Sequence, residues 1–239
     1  MSDVSARQSA LTRKAPRRPY PSRQAPATVY DSLREAIVSL ALAPGHVINR
    51  VDLQNSFGVS STPVRDALLR LAAEGLVDVV PQSATRVSLI DINKAREAQF
   101  LRRAIELEAV KTISEAADKA VVAELRSIIA QQKLAAAVED YPTFDAHDSE
   151  FHRRIYEAAG VLDLHQLVRQ RSGHIDRIRR LHLPVPGKMQ EVIRAHGLIV
   201  KAIAAGDAEE AQLRTRDHLS RSLAYIPSLR EQHPGSFKE

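Results

Sequence analysis

No part of this 239-residue chain restricts its fold as much as residues 58–76, which read GVSSTPVRDALLRLAAEGL. Gly58 lies between two apolar residues, and glycine tolerates the positive φ that lets a helix end and the chain turn. Ser60 or Ser61 can cap the next helix, and Pro63 fits its first turn because no amide donor is lost there. The pattern therefore predicts two short helices joined by a tight turn.

The second of these helices has a polar leading edge and an apolar back. Val64, Leu68 and Leu71 recur at helical spacing, which predicts that they face the core. In a helix-turn-helix, the first residues of the second helix enter the major groove of DNA. We therefore expect four residues of this edge to contact DNA, namely Ser60, Ser61, Thr62 and Arg65.

The flanking segments complete a winged helix. An apolar stripe from Val29 to Leu40 predicts a helix that precedes the helix-turn-helix. We expect this first helix to end at Pro44–Gly45. Residues 76–80 and 86–90 are rich in β-branched residues and predict a hairpin, the wing. In this unit we also assign three further residues to the DNA interface, Arg34 in the first helix and Thr85 and Arg86 in the wing.

The charge of the chain agrees with a polyanionic partner. The net charge is +5 and the pI is about 9.6. Arginines interleaved with prolines in residues 1–24 predict a disordered basic arm, which is either a solvated tail or an additional contact to DNA.

Three further segments follow this arm in the predicted domain organisation. They are a winged helix-turn-helix domain over residues 25–90, a helical domain over residues 91–230 and a tail over residues 231–239.

Several classes of protein are excluded by composition. The chain contains no cysteine, which excludes disulfides and thiolate metal sites and is compatible with a cytoplasmic protein. No segment approaches the roughly twenty apolar residues of a membrane span, and no apolar signal region follows the N-terminal charges. We therefore expect a cytoplasmic protein without a membrane partner.

Polar residues interrupt the apolar stripes of the second domain. Residues 91–230 predict about six amphipathic helices and no strand, so the fold is mostly α. Four of the interruptions would be buried together, Asp148 and His152 on one helix and His196 and His218 on two others. Such groups need a common partner because unpaired buried polar atoms are costly. A divalent transition metal meets that need, and zinc, nickel, iron and manganese all suit imidazole and carboxylate ligands.

The first domain resembles the N-terminal domain of GntR-family bacterial transcription regulators. The motifs that carry the likeness are LREAI, APGHVI, GVSSTPVRDAL and EGLV, and they span residues 29–87. The family's recognition helix commonly reads VSRTPVREAL, so Thr62 and Arg65 match it and Ser61 stands where an arginine is usual. The resemblance implies a sequence-specific regulator that binds double-stranded operator DNA.

The second domain resembles the FCD ligand-binding domain of the FadR-like GntR subfamily. The motifs DSEFH, AHGLIVKAIAAGDAEEA and RDHL carry this likeness, which covers residues 92–229. It implies an antiparallel helical bundle, and the number of helical segments in this sequence favours the version with six helices over the one with seven. It also implies that the same aspartate and three histidines bind a metal and that small organic acids complete the coordination sphere of this metal.

Three residues are assigned to effector binding. Arg102 interrupts an apolar stripe and occupies the family motif R-x-x-I-E, so the resemblance implies a ligand contact. Arg171 and His174 interrupt the stripe of the helix that begins near Leu164, which suggests that they line the pocket. The alternative for each is a side chain that pairs or packs within the fold.

The combined interpretation is a homodimeric repressor that reads two half-sites of a palindromic operator and responds to a small carboxylic acid bound at the metal. One alternative is a regulator that senses the ion itself. Another is a metal-dependent hydrolase or lyase fused to a DNA-binding module. No obvious further carboxylate lies at helical spacing beside the four metal-site residues to act as a general base, although Glu150 and Glu157 stay open as candidates. We therefore expect no enzymatic activity.

Overall fold

The computed structural model describes residues 28–79 and 84–239, so the predicted arm at residues 1–24 lies outside the described part. The N-terminal unit has three helices and a small sheet. Its elements are α1 (Val29–Val38), β1 (Val47–Ile48), α2 (Arg50–Phe57), α3 (Ser61–Ala73), β2 (Val77–Val79) and β3 (Thr85–Val87).

The turn between α2 and α3 follows the sequence prediction. Gly58 has a φ of 65° and ends α2, and Ser60 is the N-cap residue of α3. Apolar residues of all three helices, among them Leu33, Leu53 and Leu68, share one core with the wing. This core fixes the exposed N-terminal end of α3 at the surface of the unit.

The wing is a three-stranded antiparallel sheet with the strand order β1-β3-β2. Val77 pairs with Val87 and Val79 pairs with Thr85, which confirms the predicted hairpin. Val47 pairs with Arg86 and adds β1 as an edge strand. The sequence does not predict β1, because two residues are too few to show an alternating pattern.

The C-terminal domain contains eight α-helices in the described chain, where the sequence predicted about six. They are α4 (Ile92–Ala116), α5 (Lys119–Ala137), α6 (Tyr141–Ala158), α7 (Leu162–Arg171), α8 (Gly173–His182), α9 (Lys188–Ala204), α10 (Ala208–Ala224) and α11 (Ile226–Gln232). The bundle is held by α4 against α10, by α5 against α6 and α9, and by α9 against α10. No helix in residues 28–79 or 84–239 is long and apolar enough to span a membrane.

Two breaks account for the additional helices. Ser172 and Tyr225 both keep right-handed helical backbone angles, so each break is a kink rather than a loop. Pro227 lies in the first turn of α11, where it cannot donate a helical hydrogen bond. Kinks of this kind leave the apolar periodicity almost continuous, which is why the sequence did not predict them.

The two domains meet along α1 and α8. Gly173 opens α8, and a β-carbon at this position would lie 2.6 Å from Leu76 Cδ2, so any larger residue would have to displace the buried Leu76 side chain. Arg177 is fully buried and donates to the backbone oxygen of Ser88 at 2.7 Å and to its Oγ at 3.3 Å. The segment that links the domains is thus bound to α8.

The C-terminal residues, which the sequence analysis assigned to a tail over 231–239, belong to the folded domain. Phe237 is only 5% exposed and packs in a cluster with Ile90 and Ile226. The Ile90 amide donates to the Ser236 carbonyl at 2.8 Å, and the Lys238 amide donates to the Ile90 carbonyl at 3.0 Å. A single aromatic residue near a chain end shows no periodicity, so its burial was not predictable from pattern.

We expect Phe237→Ala to lower the free energy of unfolding by about 3 kcal/mol, because it leaves a cavity between the tail and the linker. Chemical denaturation followed by circular dichroism measures this loss. Phe100→Ala is the matched control, since Phe100 is 68% exposed and its truncation should change the free energy by less than about 0.5 kcal/mol. Equal effects of the two substitutions would contradict the burial of the tail.

Candidate functional site

Four potential metal ligands converge at the centre of the helical domain. Asp148 and His152 lie on α6, His196 lies on α9 and His218 lies on α10. One ligand atom of each lies within 4.8 Å of the ligand atoms of the other three. The structure therefore brings together the same four residues that the sequence pattern assigned to one site.

The distances between these atoms suit a small cation. His196 Nε2 lies 3.3 Å from His218 Nε2 and 3.6 Å from Asp148 Oδ1. His218 Nε2 lies 3.4 Å from His152 Nε2. Ligand atoms that bind one ion at about 2.0–2.1 Å lie roughly 3 Å or slightly more from their neighbours. The three imidazole nitrogens and the carboxylate oxygen are thus close to the spacing that one shared ion requires.

Two of the imidazoles are held by acceptors on the opposite side of the ring. Glu106 Oε2 lies 2.8 Å from His152 Nδ1, and Gln132 Oε1 lies 3.0 Å from His196 Nδ1. An acceptor at Nδ1 places the ring proton there and leaves the Nε2 lone pair for a metal. Glu106 and Gln132 are therefore positioning residues of this cluster.

The charge states of the cluster also suit metal ligands. Burial lowers the pKa of His196 to about 3 and holds the pKa of His218 well below its usual range. Burial alone would raise the pKa of Asp148, but the Arg179 guanidinium and the neighbouring imidazoles outweigh it and keep the pKa low. The site thus offers neutral imidazoles at His196 and His218 and an ionised carboxylate at Asp148, the forms that bind divalent metals.

Two arginines lie beside the cluster. Arg102 is buried, and its Nε donates to Glu106 Oε1 at 2.6 Å. Arg179 Nη2 pairs with Asp148 Oδ2. The position of Arg102 next to the cluster agrees with its expected role. Arg179 was not predicted, because it lies in the charged run DRIRR and such runs usually form a solvated helix face.

Two cavities adjoin the cluster. The smaller one is about 40 Å³ in volume and is lined by Asp148 and His218, and the larger one is about 500 Å³ and is lined by His152 and Tyr156. Arg102 and Arg179 line both. A small molecule in the larger cavity would therefore lie next to the cluster and to two cationic side chains.

The structure does not place Arg171 and His174 at these cavities. Arg171 is exposed and lines neither of them. His174 is buried at the domain junction, where its Nδ1 accepts from the Asp91 amide at 2.9 Å and faces Arg177 Nη2 at 2.9 Å. Burial lowers the pKa of His174 to about 4. Because α7 and α8 are separate helices that meet at Ser172, the residues of the predicted stripe do not face one pocket, and the assignment of both residues to the effector is corrected.

The residues expected at the tip of α3 are all accessible. Ser60, Ser61, Thr62 and Arg65 are exposed at or next to the first turn of α3. Arg86 is also exposed on β3 and donates from Nη1 to the Gly45 carbonyl at 3.3 Å. The four side chains at the start of α3 thus form an exposed polar edge that DNA can approach, and Arg86 is accessible on the wing.

Two other residues assigned to DNA are buried instead. Arg34 is 4% exposed, and its Nε pairs with Glu74 Oε2 at 3.0 Å. Thr85 is also 4% exposed, and its Oγ1 accepts from Arg50 Nη2 at 3.1 Å. Both side chains are already bonded within the fold, so the assignment of Arg34 and Thr85 to the DNA interface is corrected. Residues 80–83, at the tip of the wing, lie outside the described part.

Comparison with known proteins agrees with this geometry. Residues 26–87 match the family described as bacterial regulatory proteins, gntR family, and residues 97–221 match the FCD domain. A solved structure, E. coli McbR/YncC, superposes with a TM-score of 0.71 at 25% sequence identity and covers 86% of this chain and 96% of that one.

Two curated relatives match over most of their length. The chain is 35% identical over 209 residues to an uncharacterized HTH-type transcriptional regulator of an unstable DNA locus in Streptomyces ambofaciens, covering 87% of this chain and 88% of that protein. It is 24% identical over 211 residues to the HTH-type transcriptional repressor RspR of Escherichia coli strain K12, covering 88% and 92%. One relative is named a transcriptional regulator and the other a transcriptional repressor. The chain therefore belongs to the GntR family, as a transcriptional regulator with an FCD domain.

Proposed function

We propose that this regulator binds one divalent transition metal at the cluster of Asp148, His152, His196 and His218. The observation that carries the proposal is the convergence of four ligand atoms from three helices within 4.8 Å. Zinc, nickel, iron and manganese are all compatible with three imidazoles and one carboxylate. When bound, the ion supplies a Lewis-acidic centre for an oxygen ligand.

The same proposal includes a small carboxylic acid as the effector. Four protein ligands leave two positions on a six-coordinate ion. Arg102 lies beside the cluster, and its guanidinium can bind a carboxylate through two parallel hydrogen bonds. The cavity of about 500 Å³ next to His152 is large enough for such an acid and favours acid sensing over sensing of the ion alone.

The output of this sensor is DNA binding by α3. We infer that the chain acts as a homodimeric repressor whose two α3 helices read the half-sites of a palindromic operator. The exposed polar edge at the first turn of α3 supports this role, and one relative is named a repressor. Binding of the acid changes the affinity for DNA because the two sites are coupled through the domain junction.

Removal of one ligand tests the metal site. We expect His196→Ala to reduce metal affinity by more than about 100-fold. Gln132→Leu removes only the acceptor at His196 Nδ1, so this substitution should reduce metal affinity by about 10-fold to 100-fold. Elemental analysis after dialysis and metal titration measure these losses. His147→Ala is the control, since His147 lies on the same helix as Asp148 and outside the cluster. Full metal content in the His196→Ala protein would contradict the site.

Truncation of Arg65 tests the DNA interface. Loss of one base contact costs about 1–3 kcal/mol, so Arg65→Ala should weaken specific promoter binding by about 10-fold to 100-fold while the helical domain stays folded. Footprinting and fluorescence anisotropy on the regulator's own promoter measure this effect. Arg126→Ala removes an exposed arginine of α5 and serves as the control. A footprint unchanged by Arg65→Ala would exclude the proposed docking.

A ligand screen tests the effector. Carboxylic and sugar acids are added to metal-loaded and metal-stripped protein bound to its own promoter. We expect at least one acid to change promoter affinity by about tenfold, the size of a typical coupling energy, and only in the loaded protein. A response to the metal alone, equal with and without acid, would instead show that the regulator senses the ion.

A further inference from the structure

The larger cavity beside the metal cluster is built by both domains. Its inner wall carries His152 and Arg102 of the helical domain, and its outer wall carries Arg34 and Glu35 of α1. A ligand that reaches from the cluster across this cavity therefore meets the DNA-binding domain directly.

Arg34 connects this cavity to the helix that carries the DNA-contacting edge. Its Nε pairs at 3.0 Å with Glu74, the residue that ends α3, and its Nη2 donates to the carbonyl of Arg169 at the end of α7. Tyr30 of α1 donates to the same Glu74 carboxylate. The position of Arg34 is thus set jointly by α3 and by the wall of the cavity.

The outer wall has unused hydrogen-bond donors. Six arginines and five carboxylates line the cavity, and each carboxylate pairs with an arginine of the same cavity. Arg34, in contrast, pairs with a carboxylate outside it. Arg169 is exposed and has no acidic partner among the described residues. The outer wall therefore has spare positive charge for an anion.

We propose that the effector is a dianionic acid that spans the two domains. One carboxylate lies at the metal and Arg102, and the second anionic group binds Arg34 and Arg169 at the outer wall. This inference rests on the proposed metal and acid function. The second group competes with Glu74 and with the Arg169 carbonyl for Arg34, and so changes how α1 and the end of α3 are held against the helical domain. Arg34 acts as an effector-binding residue contributed by the DNA-binding domain.

Matched acids of equal carbon number test the proposal. The full-length protein is loaded with the divalent ion that it binds most tightly and is titrated calorimetrically with four pairs of acids. In each pair a dicarboxylate is compared with a monocarboxylate: malonate with propionate, succinate with butyrate, malate with 3-hydroxybutyrate, and glutarate with pentanoate. We expect at least one dicarboxylate to bind about tenfold more tightly than its monocarboxylate partner, because a second charged hydrogen-bonding group contributes that much. The same dicarboxylate, and not its partner, should shift promoter affinity.

Two substitutions locate the second group. Arg34→Gln and Arg169→Gln should each reduce the preference for the dicarboxylate to less than about threefold, with metal content and monocarboxylate affinity unchanged. Arg169 is exposed, so Arg169→Gln keeps the test valid if Arg34→Gln does not fold. Arg153→Gln is the matched control, because Arg153 lines the cavity from α6 and pairs with Glu150. This variant should keep the preference.

The outcomes separate the two proposals. Metal-dependent binding with equal affinities in every pair, or an unchanged preference in both the Arg34 and Arg169 variants, would overturn the spanning dianion and leave the metal and acid function standing. If no acid binds more tightly to loaded than to metal-stripped protein, the proposed function fails and the spanning dianion fails with it.

Discussion

Three imidazoles and a carboxylate lie at the centre of a helical bundle, where they are largely removed from bulk water. Unpaired polar groups in such a place cost several kcal/mol each, so their arrangement constrains the helices around them. The rings of His152 and His196 are held by Glu106 of α4 and Gln132 of α5, and the carboxylate of Asp148 is held by Arg179 of α8. Six helices therefore contribute to one polar centre, and a shared ion would satisfy its convergent lone pairs.

This polar centre is connected to the DNA-binding unit by short and specific contacts. Gly173 lets α8 approach Leu76, and the buried guanidinium of Arg177 donates to the Ser88 carbonyl. Phe237 adds a third contact by packing against the linker at Ile90. Because α8 carries Arg179 as well as Arg177, a change at the metal cluster reaches the helix that holds the linker. The domain junction thus connects the helix beside the metal cluster to the segment that leads into the DNA-binding unit.

Local patterns in the sequence were sufficient for the winged helix-turn-helix, for the helical class of the second domain and for the four clustered residues. The turn at Gly58 follows from glycine's conformational freedom, and the four-residue spacing of Asp148 and His152 places both on one helix face. Gln132 could have been suspected from its place in the apolar stripe of α5, but a single amide gives no indication of its partner. Its role depends on the packing of α5 against α9.

Other features depended on contacts that sequence spacing does not encode. Arg34 looked like a surface residue of α1 suited to DNA, yet the approach of α7 buries it in an ion pair with Glu74. His174 was misassigned because the kink at Ser172 turns α8 towards the linker. Arg179 was missed because a basic run on a helix normally faces solvent, and only the tertiary fold directs it to Asp148.

The most direct test of this account is X-ray absorption spectroscopy at the edge of the bound metal, with and without an acid that changes promoter affinity. The account predicts the scattering of three imidazole rings and at least one additional oxygen ligand, and a change in the oxygen shell when the acid is added. A spectrum without imidazole scattering, or one that an active acid leaves unchanged, would contradict a metal centre that senses the effector directly.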